Sequence, residues 1–107
     1  MTVNLTRIYT RLGDSGETHL GLAQHLYWAY QNYDRAREEL AAARLTLPNE
    51  ARIPLLAAYI DRRQGRWEEA LDQMKQALEF DPHNLSILQQ TSLTYQALAL
   101  QRNGRYS

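Results

Sequence analysis

The chain has 107 residues, 44% hydrophobic and 22% charged, with 12 basic and 12 acidic side chains and no cysteine. That length fits one domain and that composition argues against disorder, while a net charge of zero gives no reason to expect nucleic acid or an anionic membrane as partner. Without cysteine there is no disulfide, thiolate metal site or cysteine nucleophile, and no apolar run reaches the roughly 20 residues of a membrane span.

The first 14 residues lack the apolar core of a leader peptide, so a cytoplasmic protein is expected. Residues 1–16, MTVNLTRIYTRLGDSG, differ from everything that follows: Val3, Leu5, Ile8 and Tyr9 are β-formers, and Gly13-Asp14-Ser15-Gly16 is a turn signal. They are expected to form an extended or disordered arm. The run Ile8, Tyr9, Thr10, Arg11, Gly13, Asp14, Gly16 and Thr18 resembles the ATP-binding N-terminal segment of PduO-type cobalamin adenosyltransferases, with Leu12 where that family has threonine. The resemblance implies a nucleotide site on Thr10, Arg11, Gly13, Asp14, Gly16 and Thr18 that takes ATP with magnesium. Glycines let backbone N–H groups approach phosphate oxygens, and the hydroxyls and Arg11 add donors. The downstream arginine and acidic motifs of that family are absent here.

Helices are predicted over about 17–30, 33–46, 51–64, 67–80 and from 84 onward. Ser15 or Asp14 caps the first, Asn32 the second and Asn84 the fifth. Leu20, Ala23, Tyr27 and Tyr30 form the first apolar stripe, with Leu26 beside it. Of Tyr27, Trp28, Tyr30 and Tyr33, three are expected to pack between helices. Pro54 restricts the third helix to a start near Ala51, since a proline is tolerated only in a first turn whose N–H groups have no partner. Asp61 stands on its buried side, which predicts a weaker or wetter contact. The fourth helix carries Trp67, Ala70, Leu71, Met74, Ala77 and Leu78 at one-face spacing and stops at Asp81-Pro82. The fifth is overlong. Its predicted stripe is Ile87, Leu88, Thr91, Tyr95 and Leu98, and Leu93, Leu98 and Leu100 are expected on a partly uncovered face. Asn103-Gly104-Arg105-Tyr106 repeats the turn logic of Gln64-Gly65-Arg66-Trp67, so the chain reads as a fragment of a longer array, or as one that forms a homodimer through this helix.

Two of these units are copies. Tyr33 and Trp67, Ala36 and Ala70, Leu40 and Met74, Ala43 and Ala77, and Pro48 and Pro82 are each 34 positions apart. A period of 34 with small residues in fixed slots resembles a tetratricopeptide array over residues 17–107, in repeats 17–50, 51–84 and a partial 85–107. The resemblance implies an all-α right-handed solenoid of five helices and a non-catalytic scaffold that presents a concave groove to a protein or peptide. The family's groove slots select His25 and Trp28 in the first repeat and Arg52, Leu55, Tyr59, Arg62 and Arg63 in the second. In the third they hold Ser86, Gln89, Leu93, Gln96 and Ala97, of which Gln89 and Gln96 are the site residues expected. Guanidinium forks bind carboxylates bidentately, so an acidic peptide or a free C-terminal carboxylate is the ligand expected.

Nothing in the pattern carries catalysis. His19, His25 and His83 do not form a helical zinc pair, Ser15, His19 and Asp14 are neighbours at a helix start, and Glu38, Glu39, Glu68 and Glu69 read as solvated pairs facing helix dipoles. No metal or resident cofactor is expected. Beside the scaffold and the nucleotide site stands a third reading, an artificial chain that joins two family fragments and has no evolved ligand.

Overall fold

The computed structural model describes residues 15–104. The expectations placed on Thr10, Arg11, Gly13, Asp14 and on the turn beyond Gly104 lie outside the described residues. Among those residues there are five helices and no strand: α1 (Gly16–Trp28), α2 (Tyr33–Thr46), α3 (Arg52–Arg63), α4 (Trp67–Phe80) and α5 (Leu85–Gly104). The chain divides into two compact units, Met1–Ile53 and Pro54–Ser107.

In the first unit, α1 and α2 form a helical hairpin. The Ser15 side chain accepts from the Thr18 amide at 3.2 Å and Asn32 accepts from the Arg35 amide at 3.3 Å, so both predicted caps are in place. The helix ends earlier than its pattern suggests. Gln31 takes φ 54° and the Asn32 amide donates back to the Leu26 carbonyl at 3.0 Å, which closes the turn with no glycine to mark it. Tyr30 is thereby carried past the helix and is 61% exposed, not part of the stripe. The buried row of α1 is Leu20, Leu22, Ala23 and Leu26, and that of α2 is Ala36, Glu39, Leu40 and Ala43. Gly16 marks a close approach of α1 to the end of α2. A Cβ there would fall 2.3 Å from Thr46 Oγ1, 2.6 Å from Leu47 Cγ and 2.9 Å from the Ala43 carbonyl oxygen.

The second unit holds α4 and α5 and nearly all of α3. Glu50, just ahead, accepts from the Arg52 amide at 3.2 Å through its side chain and from the Ile53 amide at 3.1 Å through its carbonyl. These bonds start α3 at Arg52, and Pro54 falls in the first turn as its missing N–H requires. At the other end Gly65 adopts φ +78°, with Gly65 donating to the Arg62 carbonyl at 3.1 Å and Arg66 to the Asp61 carbonyl at 2.8 Å. This double bond pattern closes a helix on a left-handed residue and explains the glycine. Asn84 caps α5 by accepting from the Ile87 amide at 3.2 Å.

The 34-residue register survives into burial. Ala36 and Ala70 are both 0% exposed, as are Ala43 and Ala77, and Leu40 and Met74 are buried in turn. Ala58, Ala70 and Met74 form one core cluster with Tyr59 packed against it.

The predicted stripe of α5 is in place at Ile87, Thr91 and Leu98 but not at Leu88 and Tyr95. The buried row is Ile87, Thr91, Thr94 and Leu98, whereas Leu88 and Tyr95 are exposed. Leu98 therefore leaves the uncovered face, on which Leu93 and Leu100 remain. Threonine can be buried here because its hydroxyl bonds its own helix: Thr91 Oγ1 donates to the Ile87 carbonyl at 2.7 Å and Thr94 Oγ1 to the Gln90 carbonyl at 2.8 Å.

Candidate interaction face

In the second unit, the C-terminal turn of α3 and the middle of α5 are joined through Arg62. Its Nη1 donates to Gln90 Oε1 at 3.0 Å and lies 3.5 Å from Thr94 Oγ1, and its guanidinium carbon sits 4.8 Å from the centroid of the Tyr59 ring. Gln90, Thr94 and Tyr59 are all neutral. They fix the plane of the half-buried guanidinium without offsetting its charge, so the group retains donors and a field for an arriving anion. Thr94 is itself held from behind, its hydroxyl 3.1 Å from the Met74 sulfur. Leu55 is half-buried on α3, and Arg63, Gln89 and Gln96 are exposed. The family's groove slots singled out Arg62 and Tyr59 but not Gln90 and Thr94, which hold the Arg62 guanidinium. Their signal was the 3.6-residue phase of α5, obscured by Leu88 and Tyr95.

Arg52 stands in a different electrostatic setting. One of its nitrogens lies 2.7 Å from Glu17 Oε1 and 2.7 Å from Glu50 Oε1, so its charge is already matched within the first unit. The Arg52 hydrogen bond holds the Glu50 carboxyl below the usual carboxylate range, and the Glu50 hydrogen bond raises Arg52 above its own already high range. Also in the first unit, His25 packs its ring 5.5 Å from that of Tyr30 and Tyr27 packs 6.0 Å from Tyr33. Trp28, at the last position of α1, is 82% exposed. Tyr30 and Trp28 both stand in solvent, so two of the four aromatics, not three, are placed for packing.

Two residues expected at a nucleotide site have structural tasks. Gly16 is buried where α1 meets the end of α2, and Thr18 is half-buried in the first turn, its hydroxyl 2.9 Å from that of Ser15. Glu39, expected in solvent, is buried and lies 2.6 Å from His19 Nδ1. It occupies the same helical face as Ala36, Leu40 and Ala43, and the imidazole supplies the partner a buried carboxylate requires. His83 is exposed in the turn before α5. Among the described residues, no three His, Cys, Asp or Glu side chains gather into a metal-binding group, and no helix is long and apolar enough to cross a membrane.

A shallow groove that the sequence did not announce runs between α4 and α5, over Leu71, Leu98 and Ala99. Along it Arg102 pairs with Glu68 at 3.1 Å, and the Lys75 ammonium sits 5.6 Å from the Tyr95 ring centroid.

Residues 56–84 match the family model described as tetratricopeptide repeat. The match covers most of α3, all of α4 and the turn after it, and the fold is an all-α, tetratricopeptide-like helical repeat. Comparison with curated proteins returns no match for the chain.

Proposed function

We propose that this chain is a non-catalytic interaction module whose second unit binds an acidic peptide segment, or a free C-terminal carboxylate, on the face shared by α3 and α5. Repeats of this type in general bind proteins or peptides and do not catalyse reactions, and the match to residues 56–84 supports that class of function. The observation that carries the ligand chemistry is Arg62, a guanidinium stacked on Tyr59 and oriented by Gln90, both of them neutral. A carboxylate arriving there replaces solvent with a charge-assisted, bidentate contact to a side chain whose conformation is already fixed. Tyr59 and Leu55 supply apolar area, Arg63 a second positive charge, and Gln89 and Gln96 hydrogen bonds to peptide backbone. His25, Trp28 and Arg52 belong to the first unit, and Arg52 contributes little because Glu17 and Glu50 already neutralise it. The module is a scaffold in the cytoplasm of its cell, in keeping with a cysteine-free, charge-balanced chain.

The test is a fluorescence-anisotropy titration with a labelled peptide ending in consecutive acidic residues, against the native protein, Arg62→Glu and Arg63→Glu. Losing the charge-assisted contact at the half-buried Arg62 is expected to weaken binding at Arg62→Glu by about tenfold or more, and Arg63→Glu by less. Circular dichroism should show the helical spectrum retained in both. Equal affinity in the native protein and in a folded Arg62→Glu variant would overturn the assignment.

A further inference from the structure

We infer that Asn103 is a self-modifying site: the backbone nitrogen of Gly104 attacks the Asn103 side-chain amide at Cγ and converts it to a carboxylate. Both residues are exposed, at the last two positions of α5. The last turn of a helix has carbonyls without helical partners and opens at small cost, and glycine is the weakest helix former after proline, so the Gly104 nitrogen leaves the helical ladder more easily than one in the middle of α5. Packing does not explain this glycine. Gly16 is required by the close approach to α2 and Gly65 by its φ of +78°, whereas a Cβ at Gly104 would meet nothing within 4 Å and its φ lies outside the left-handed range.

What the missing side chain does allow is ring closure. A side chain on the residue after asparagine crowds the cyclic imide as it forms and restricts the backbone that must turn to form it, and glycine imposes neither limit. A C–N bond forms between Asn103 Cγ and the Gly104 nitrogen, which gives its proton to solvent, while the Cγ–Nδ2 bond breaks and ammonia leaves. Water then opens the imide at either carbonyl, to aspartate or to its isomer in which the main chain runs through Cγ. The other asparagines among the described residues are placed against this path. Asn32 accepts from the Arg35 amide at 3.3 Å and precedes Tyr33. Asn84 accepts from the Ile87 amide at 3.2 Å, donates to Asp81 at 3.0 Å and precedes Leu85. Asn49 precedes Glu50. The new carboxylate stands next to Arg102, which pairs with Glu68 at 3.1 Å, and at the helix end where the backbone dipole disfavours negative charge. A chain of zero net charge thereby becomes acidic without any enzyme, and independently of the peptide reading.

Incubation of the full chain for weeks at neutral pH and physiological temperature, followed by tandem mass spectrometry of the fragment released by cleavage after Lys75, the single lysine, tests the site. Aspartate and its isomer are expected to accumulate at Asn103 ahead of Asn84, which the same fragment carries as an internal control. Gly104→Ala should slow the conversion by about tenfold or more. Its helical spectrum should be unchanged, because the added methyl group meets nothing. Asn103→Gln should remove the acidic product from this position. Conversion at Asn84 before Asn103, an undiminished rate in Gly104→Ala, or an Asn103 still intact at the end of the incubation would each overturn the site.

Discussion

At the scale of single residues, charge placement separates arginines that look alike in sequence. Arg52 and Arg62 both fall in slots expected to face a ligand, yet Arg52 meets two carboxylates and Arg62 meets an amide, a hydroxyl and a ring. No spacing rule separates these cases, because Glu17 is 35 positions from Arg52. The Glu50 carboxyl has a pH consequence. Its pKa is lowered in the folded state, so its stabilising effect is fully present above the ordinary glutamate value of about 4.3 and is lost as pH falls through the lowered folded value. Glu50→Gln is therefore expected to lower stability at neutral pH by about 0.5–1 kcal/mol, as for a partly exposed pair. The difference in melting temperature from the native protein should hold down to about pH 4.3 and narrow below it. A difference that widened on acidification would contradict the linkage.

At the scale of elements, caps, breakers and the buried row of α4 were legible, and single positions of α1, α2 and α5 were not. Asn32, Ser15, Asn84 and Pro82 bound their helices as their chemistry dictates, because a cap is a local event between residues two or three apart. On α5, Ile87, Thr91 and Leu98 are buried as expected, but hydrophobicity also marked Leu88 and Tyr95, while the structure buries Thr94, whose hydroxyl is satisfied by its own helix. Glu39 was misjudged for the complementary reason: its partner His19 lies 20 positions away, and only the hairpin brings them together. The contact between α1 and α2 at Gly16 makes a prediction of definite sign. By helix propensity alone, alanine would stabilise relative to glycine by up to about 1 kcal/mol. A Cβ at 2.9 Å from the Ala43 backbone oxygen cannot be relieved by a side-chain rotation. Gly16→Ala is therefore expected to destabilise by about 1–3 kcal/mol in urea unfolding. A stabilised variant would mean that the helix ends stand further apart than described.

At the scale of the whole molecule, the repeat was the most legible feature, since five pairs of residues at one offset have no simpler source than a duplicated helix and its proline stop, and the alanines of both copies are buried. The interaction face was legible only in outline. Family slots pointed to Tyr59, Arg62, Gln89 and Gln96, but which arginine keeps an unmatched charge depends on neighbours supplied by another helix. Backbone amide chemical-shift mapping on the isotope-labelled chain, titrated with an acidic peptide bearing a free C-terminal carboxylate, tests the central claim most directly. The shifts are expected to cluster on Tyr59, Arg62, Arg63, Gln89, Gln90 and Gln96, and to shrink when the same peptide is added to Arg62→Glu. Shifts confined to other residues, or none at millimolar peptide, would contradict the assignment of this face.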